Sequence, residues 1–319
     1  MLVEKAYGQY TDFRIPGMVV TEKGSLIRYC ECRKSMSDWA YIDIKVSRST
    51  DEGKTWQDVL LIEGGENTLN NPVMFVCEKK LVFLYCKNYR EVYKCESDND
   101  GLAFGEITRV DFESTVNFPF TIAALGPGHG IYHRGRLIVP AWFAYDPEDE
   151  KAHKPSFTTT FYSDDLGKSW NVGEPIFSDV INNGSEAAIA VTKDGEYLMS
   201  IRHGGEKKAR ALVKSADGIS GWHSLCFEEN LADPVCMASM THCGGLLYHV
   251  NCDSIGTDSF WTSRTNLTVK ISDDEFKSYR AFPVSELGGY SDVALLNDKI
   301  CVLYEKTVRP FELFFEVIG

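Results

Sequence analysis

Between Phe13 and Trp56 the chain gathers residue types that can hold an anion and move a proton. Arg14 lies in Phe13-Arg14-Ile15-Pro16, and Arg33 precedes Asp38 by five residues in the segment Glu31 to Trp39. A guanidinium is a planar fork of donors that grips a carboxylate bidentately and never loses its charge. A carboxyl group on a loop can deliver and recover a proton. The stretch closes with Ser49-Thr50-Asp51-Glu52-Gly53-Lys54-Thr55-Trp56, which fits Ser-x-Asp-x-Gly-x-Thr-Trp, the Asp-box. In that hairpin turn Ser and Asp bond nearby amides, Gly takes a positive φ, and Trp tucks beneath.

The turn recurs. Ser163 to Trp170 is a second good copy. Weaker ones begin at Ser97, Ser215 and Ser272, the last with Phe276 in the Gly position. Between the turns lie runs of about five residues rich in Val, Ile, Leu, Phe and Tyr, such as Leu81 to Tyr85 and Ile300 to Tyr304; runs of that kind are a strand signature. No stretch sustains a period of 3.6, so almost no helix is expected. Short strands with a turn signal at this period indicate a β-propeller of four-stranded blades. Five boxes and one blade without a box predict six blades, hence an all-β, six-bladed propeller filling residues 1–319 as one catalytic domain. The ring must close or leave bare strand edges, so Glu4 to Tyr7 is expected to pair with Glu312 to Glu316.

The formal net charge of −13 argues against nucleic acid or an anionic membrane as partner, since both require a basic face. It leaves room for a small anion, because a few arginines in one pocket override the global field. No apolar run reaches membrane-spanning length, and Met1 to Thr11 has no apolar core of a signal peptide; a cytoplasmic location is the expectation. Ten cysteines are too few for a disulfide scaffold and read as reduced, buried small hydrophobes. Cys30 and Cys32 flank Glu31 on a strand and have no matching Cys or His pair for a metal.

Together these motifs resemble the exo-α-sialidases (neuraminidases), the retaining family of Asp-box propellers, and the likeness runs from Phe13 to Glu316. Three arginines, Arg14, Arg202 and Arg264, recur near one blade position and match the triad that grips the sialic acid carboxylate in that family. The resemblance assigns the acid/base role to Asp38 and places Arg33 near it. Gly288-Gly289-Tyr290-Ser291-Asp292, followed by Tyr304-Glu305, is similar to the nucleophile segment, with Glu186 of Gly184-Ser185-Glu186 as its base. A phenol suits an anomeric carbon that bears a carboxylate, because an anionic nucleophile would be repelled; it needs an adjacent base to take its proton.

Asn71 is similar to a pocket residue near the C4 and N-acyl side. Trp142 and Tyr145 either face the glycerol tail or belong to the core. Gly126 to Gly130 and Leu231 to Cys236 strengthen the likeness without chemistry, and His129 reads as a packing or turn residue. The implied activity is hydrolysis of terminal sialic acid from glycans by double displacement, with no cofactor or metal. A trans-sialidase, an anhydro-sialic-acid-forming enzyme or a hydrolase of another nonulosonic acid shares these residues. A propeller that binds sialylated glycans without cleaving them would be expected to lack Tyr290, Glu186 or Asp38.

Overall fold

The computed structural model is described for residues 1–256 and 263–319. Among these, the strands pair antiparallel into six sheets, and one 3-10 turn, Glu113–Thr115, is the helical element. The first blade is Asp12–Val20, Leu26–Arg33, Ile42–Ser49 and Gln57–Ile62; the second is Leu69–Cys77, Lys80–Lys87, Glu91–Ser97 and Thr108–Val110. The third is Ile122–Leu125, Arg136–Ala144, Ser156–Ser163 and Asn171–Val172, with Ile131–His133 continuing its innermost strand beyond the Gly-Pro-Gly loop. The fourth comprises Ala187–Val191, Tyr197–Ile201, Ala209–Ser215 and His223–Ala232. Ser239–Cys243, Leu246–Cys252, Thr265–Ser272 and Arg280–Leu287 make the fifth. The six-bladed all-β propeller expected from the repeats is the fold observed.

Burial explains the apolar runs. Innermost strands of neighbouring blades contact one another around the axis, and six apolar clusters fill the six gaps between blades. Consecutive side chains of a strand point to opposite faces, so inner strands serve two gaps at once. Val293 packs towards the fifth blade and Ala294 towards the first. Such strands read as continuous hydrophobic runs, whereas the outer strand His223–Ala232 is largely exposed or half-buried. Cys30 and Cys32 lie in the gap between the first and sixth blades, on the face opposite Glu31. All the cysteines are free, and all but Cys226 and Cys243 are buried. Those two depart from the expectation because one sits on an outer strand and the other at a strand end.

Each Asp-box joins the third strand of a blade to its fourth. Ser49 Oγ accepts from Gly53 N–H at 2.9 Å, and Asp51 carboxylate oxygens accept from the Thr55 amide and hydroxyl. Trp170 donates to Gly167 O at 3.1 Å and stacks on Phe161. In the copy without Gly, Phe276 itself adopts φ 69° and is wholly buried between the fourth and fifth blades.

The sixth blade closes the ring with Ser291–Leu296, Lys299–Glu305 and Leu313–Ile318 from the C-terminal side and Leu2–Glu4 from the N-terminal side. It is the blade without a box, because the two chain ends occupy the place of that turn. The N-terminal partner is Leu2–Glu4, with Glu4 opposite Leu313, rather than Glu4 to Tyr7. Glu4 is pinned by Lys45 at 2.5 Å and Arg28 at 3.1 Å. The chain then turns away, Tyr7 and Tyr10 bonding each other's backbone before the first blade begins.

Candidate active site

In an antiparallel blade the start of the first strand, the end of the second and the start of the third lie at the same rim. Arg14 pairs with Glu31, Ala187 with Ile201, and Ser291 with Tyr304. Residues at these strand ends in successive blades therefore converge on one mouth of the channel. The Asp-boxes occupy the opposite face.

Two of the converging strands carry the same device. Between Arg14 and Gly17 three steps of the first strand oppose two of its partner, and the same offset occurs between Asn70 and Val73. Each is a bulge followed by Pro, with Ile15 at φ 56° and Asn71 at φ 51°. A bulge re-aims side chains and tolerates a Pro that cannot donate to the ladder. It turns Arg14 and Asn71 to the mouth.

All nine expected site residues, Arg14, Arg33, Asp38, Asn71, Trp142, Glu186, Arg202, Arg264 and Tyr290, line one cavity of about 280 Å³. At its floor the Tyr290 hydroxyl donates to Glu186 Oε1 and accepts from Arg202 Nη1 at 2.8 Å, and Arg202 also pairs with Glu186. The guanidinium carbons of Arg14 and Arg264 lie 5.1 and 5.3 Å from the centre of the Tyr290 ring. Burial, and then the Glu186 carboxylate, push the phenol well above its ordinary range, against the pull of Arg202, Arg264 and Arg14. The hydroxyl is thus protonated, with a base in contact.

Arg14 is held by Glu305, which accepts from Nε at 3.2 Å and Nη2 at 2.7 Å and is itself fully buried. Glu305 also accepts from the Tyr290 amide at 3.4 Å, so one carboxylate sets both residues. Arg33 is held in the same way by buried Glu31, Nε at 2.7 Å. Its Nη1 donates to Asp38 Oδ1 at 2.7 Å. Burial raises the Asp38 carboxyl, but the Arg33 guanidinium outweighs it and holds the group below the usual carboxylate range. The Asp38 side chain is 45% exposed, at the lip.

Asn71 donates from Nδ2 to Leu125 O at 2.7 Å, and its amide to Glu31. Trp142 is 95% enclosed, at 5% exposure, yet borders the cavity. Tyr145, three residues on and so on the other face of the chain, lines a separate apolar cleft with Phe157 and Phe177. His129 Nδ1 contacts Asp292, which also accepts from the Met18 amide and Ser239 hydroxyl, tying the blades beneath the site.

Sequence reasoning passed over Glu305 and Glu31 as anchors, and Tyr89 and His153 as lining residues. The strand pairing of Glu31 with Arg14 was within reach of alternation; His153 on its loop had no signal.

A buried tyrosine with a carboxylate partner beneath three guanidinium groups on a propeller's mouth defines a site for an anionic ligand. Residues 37–300 match the family model described as BNR repeat-like domain, and the chain belongs to that family. It is 26% identical over 345 residues to a sialidase of Bacteroides fragilis, covering 93% of this chain and 60% of the relative. A sialidase of Clostridium perfringens is 26% identical over 226 residues, 60% of this chain and 55% of the relative. The match thus spans less than two thirds of the length of either relative. Among solved structures, the Hadza microbial sialidase Hz136 superposes with a TM-score of 0.80 at 24% identity, over 96% of this chain and 66% of that one.

Proposed function

We propose that the protein is an exo-acting sialidase that hydrolyses terminal sialic acid from glycans with retention. The observation that carries the reading is the hydrogen bond from the Tyr290 hydroxyl to Glu186, beneath Arg14, Arg202 and Arg264. The arginines take the substrate carboxylate. That carboxylate sits on the carbon under attack, so a neutral phenol meets less repulsion than an Asp or Glu nucleophile. As Tyr290 oxygen bonds to the anomeric carbon, its proton passes to Glu186 and the glycosidic bond breaks. Asp38, protonated in the bound state, gives its proton to the leaving oxygen. It then takes one from the water whose oxygen bonds to the anomeric carbon as the Tyr290–sugar bond breaks, and Glu186 returns its proton to the phenol oxygen. Asn71 faces the C4 and N-acyl side and Trp142 the glycerol tail.

The test is hydrolysis of an aryl α-ketoside of N-acetylneuraminic acid followed by proton NMR. Release of the α-anomer first supports the reading. A 2,7-anhydro or transfer product moves the assignment to an intramolecular or intermolecular trans-sialidase. Binding of free sialic acid without turnover points to another nonulosonic acid or to a glycan-binding propeller.

A further inference from the structure

Asp38 is anchored through Arg33 on one side only, and its carboxylate is 45% exposed. A half-exposed carboxylate on a loop samples many orientations unless its backbone is fixed. The next residue supplies that fixing. The Trp39 ring centre is 5.2 Å from Tyr89 and 6.0 Å from His153, and Lys151 Nζ lies 5.4 Å from it. Tyr89 and His153 are in turn 4.8 Å apart.

The three rings come from corresponding places: the loops joining second to third strands in the first, second and third blades. Tyr89 is a rigid anchor. It is 4% exposed, adopts φ 51°, bonds Asn70 through its amide at 3.4 Å and accepts from the Ala123 amide at 2.7 Å. The Asp38 carbonyl also accepts from Thr68 of the neighbouring blade at 3.0 Å. The loop bearing Asp38 is therefore clasped to two further blades by its own next residue.

We infer that Trp39, gripped by Tyr89, His153 and Lys151, is the positioning residue that aims Asp38 at the leaving-group oxygen. This rests on the reading of Asp38 as the proton donor. A displacement of the donor by about 1 Å can cost about a hundredfold in rate. The cost falls on the step that needs the proton. Leaving groups that depart readily as anions hardly feel it, whereas sugar alcohols do.

The test compares two substrates, a 4-nitrophenyl α-ketoside and an α2→3-linked sialyl trisaccharide, in the wild type, Trp39→Ala, Trp39→Phe and Lys151→Ala. Trp39→Ala is expected to lower kcat/KM about ten- to a hundredfold on the trisaccharide and less than about threefold on the nitrophenyl ketoside. Trp39→Phe restores most of the loss. Lys151→Ala, at the exposed lip and harmless to folding, gives the same selective loss at about two- to fivefold, the worth of one exposed cation–π contact. Equal losses on both substrates, or none, overturn the positioning role while leaving the sialidase reading in place. A wild type that cleaves neither substrate overturns both.

Discussion

Tyr290 and Glu186 stand 104 residues apart in the chain, on the sixth and fourth blades, and meet through a hydrogen bond at the mouth of the channel. Tyr290→Phe removes the attacking oxygen and leaves a ring of the same shape. Glu186→Gln keeps the contact but cannot take the proton. Each is expected to lower kcat on the aryl ketoside about 10²- to 10⁴-fold, the span typical of a positioned proton-transfer group, with little change in melting temperature. A wild-type rate from Tyr290→Phe would end the double-displacement scheme.

Arg33 tunes the carboxyl proposed as proton donor. In the proposed scheme the first chemical step uses protonated Asp38, and Arg33 holds that carboxyl low in the free protein. Hence kcat/KM on a sialyl oligosaccharide should decline as pH rises through this lowered Asp38 pKa, below the usual carboxylate range. Arg33→Gln removes the charge that favours the carboxylate, so the Asp38 pKa rises and the descending limb moves to higher pH. Buried Glu31, losing its partner, pushes in the same direction if it keeps its charge. A pH profile of Arg33→Gln displaced to lower pH contradicts this.

Glu305→Gln tests the anchor of the arginine cluster. Arg14 and Glu305 are 7% and 0% exposed, and removing one partner of such a pair leaves a buried charge without compensation. The expected loss is about 3–5 kcal/mol in denaturant unfolding, with KM raised because Arg14 loses its orientation. An unchanged KM with lowered stability would confine Glu305 to a structural role.

Much of this architecture is legible in the sequence. Ser-x-Asp-x-Gly-x-Thr/Ser-Trp at Ser49 and Ser163 announces its turn locally, and Arg14-Ile15-Pro16 and Asn70-Asn71-Pro72 stand out as segments, although their bulges do not. Local chemistry leaves local marks. Glu305 on Arg14 is different, because the two are 291 residues apart and meet across the seam of the ring. His153 was illegible for another reason: it sits in an irregular loop, and its place beside Tyr89 and Trp142 depends on the packing of three blades. The first strand of the chain was misplaced by a few residues because Glu4 is fixed by Lys45 and Arg28, charges whose proximity no periodicity records.

Phe276 offers a stability test in which two effects oppose. Gly at this position relieves a left-handed backbone that costs other residues roughly 1–2 kcal/mol. It also deletes a wholly buried ring, and such truncations cost about 3–5 kcal/mol. Packing should win, so Phe276→Gly is expected to destabilise by about 2–3 kcal/mol in urea unfolding. A more stable variant would mean that the strain dominates.

The blade that closes the ring has its chain ends where the others have a box. Gly319 follows the third strand and Met1 precedes the fourth, with the Met1 ammonium 2.6 Å from Glu316. Gly319 therefore lies at the box rim, whereas Met1 bonds the backbone of Phe315, partway along the third strand. A tether joined after Gly319 would leave from the rim opposite the mouth, so the cavity would face away from that attachment point. A short linker from Gly319 to Met1 would make the molecule a covalent circle, which could then be opened at any box turn without disturbing Tyr290 or Asp38.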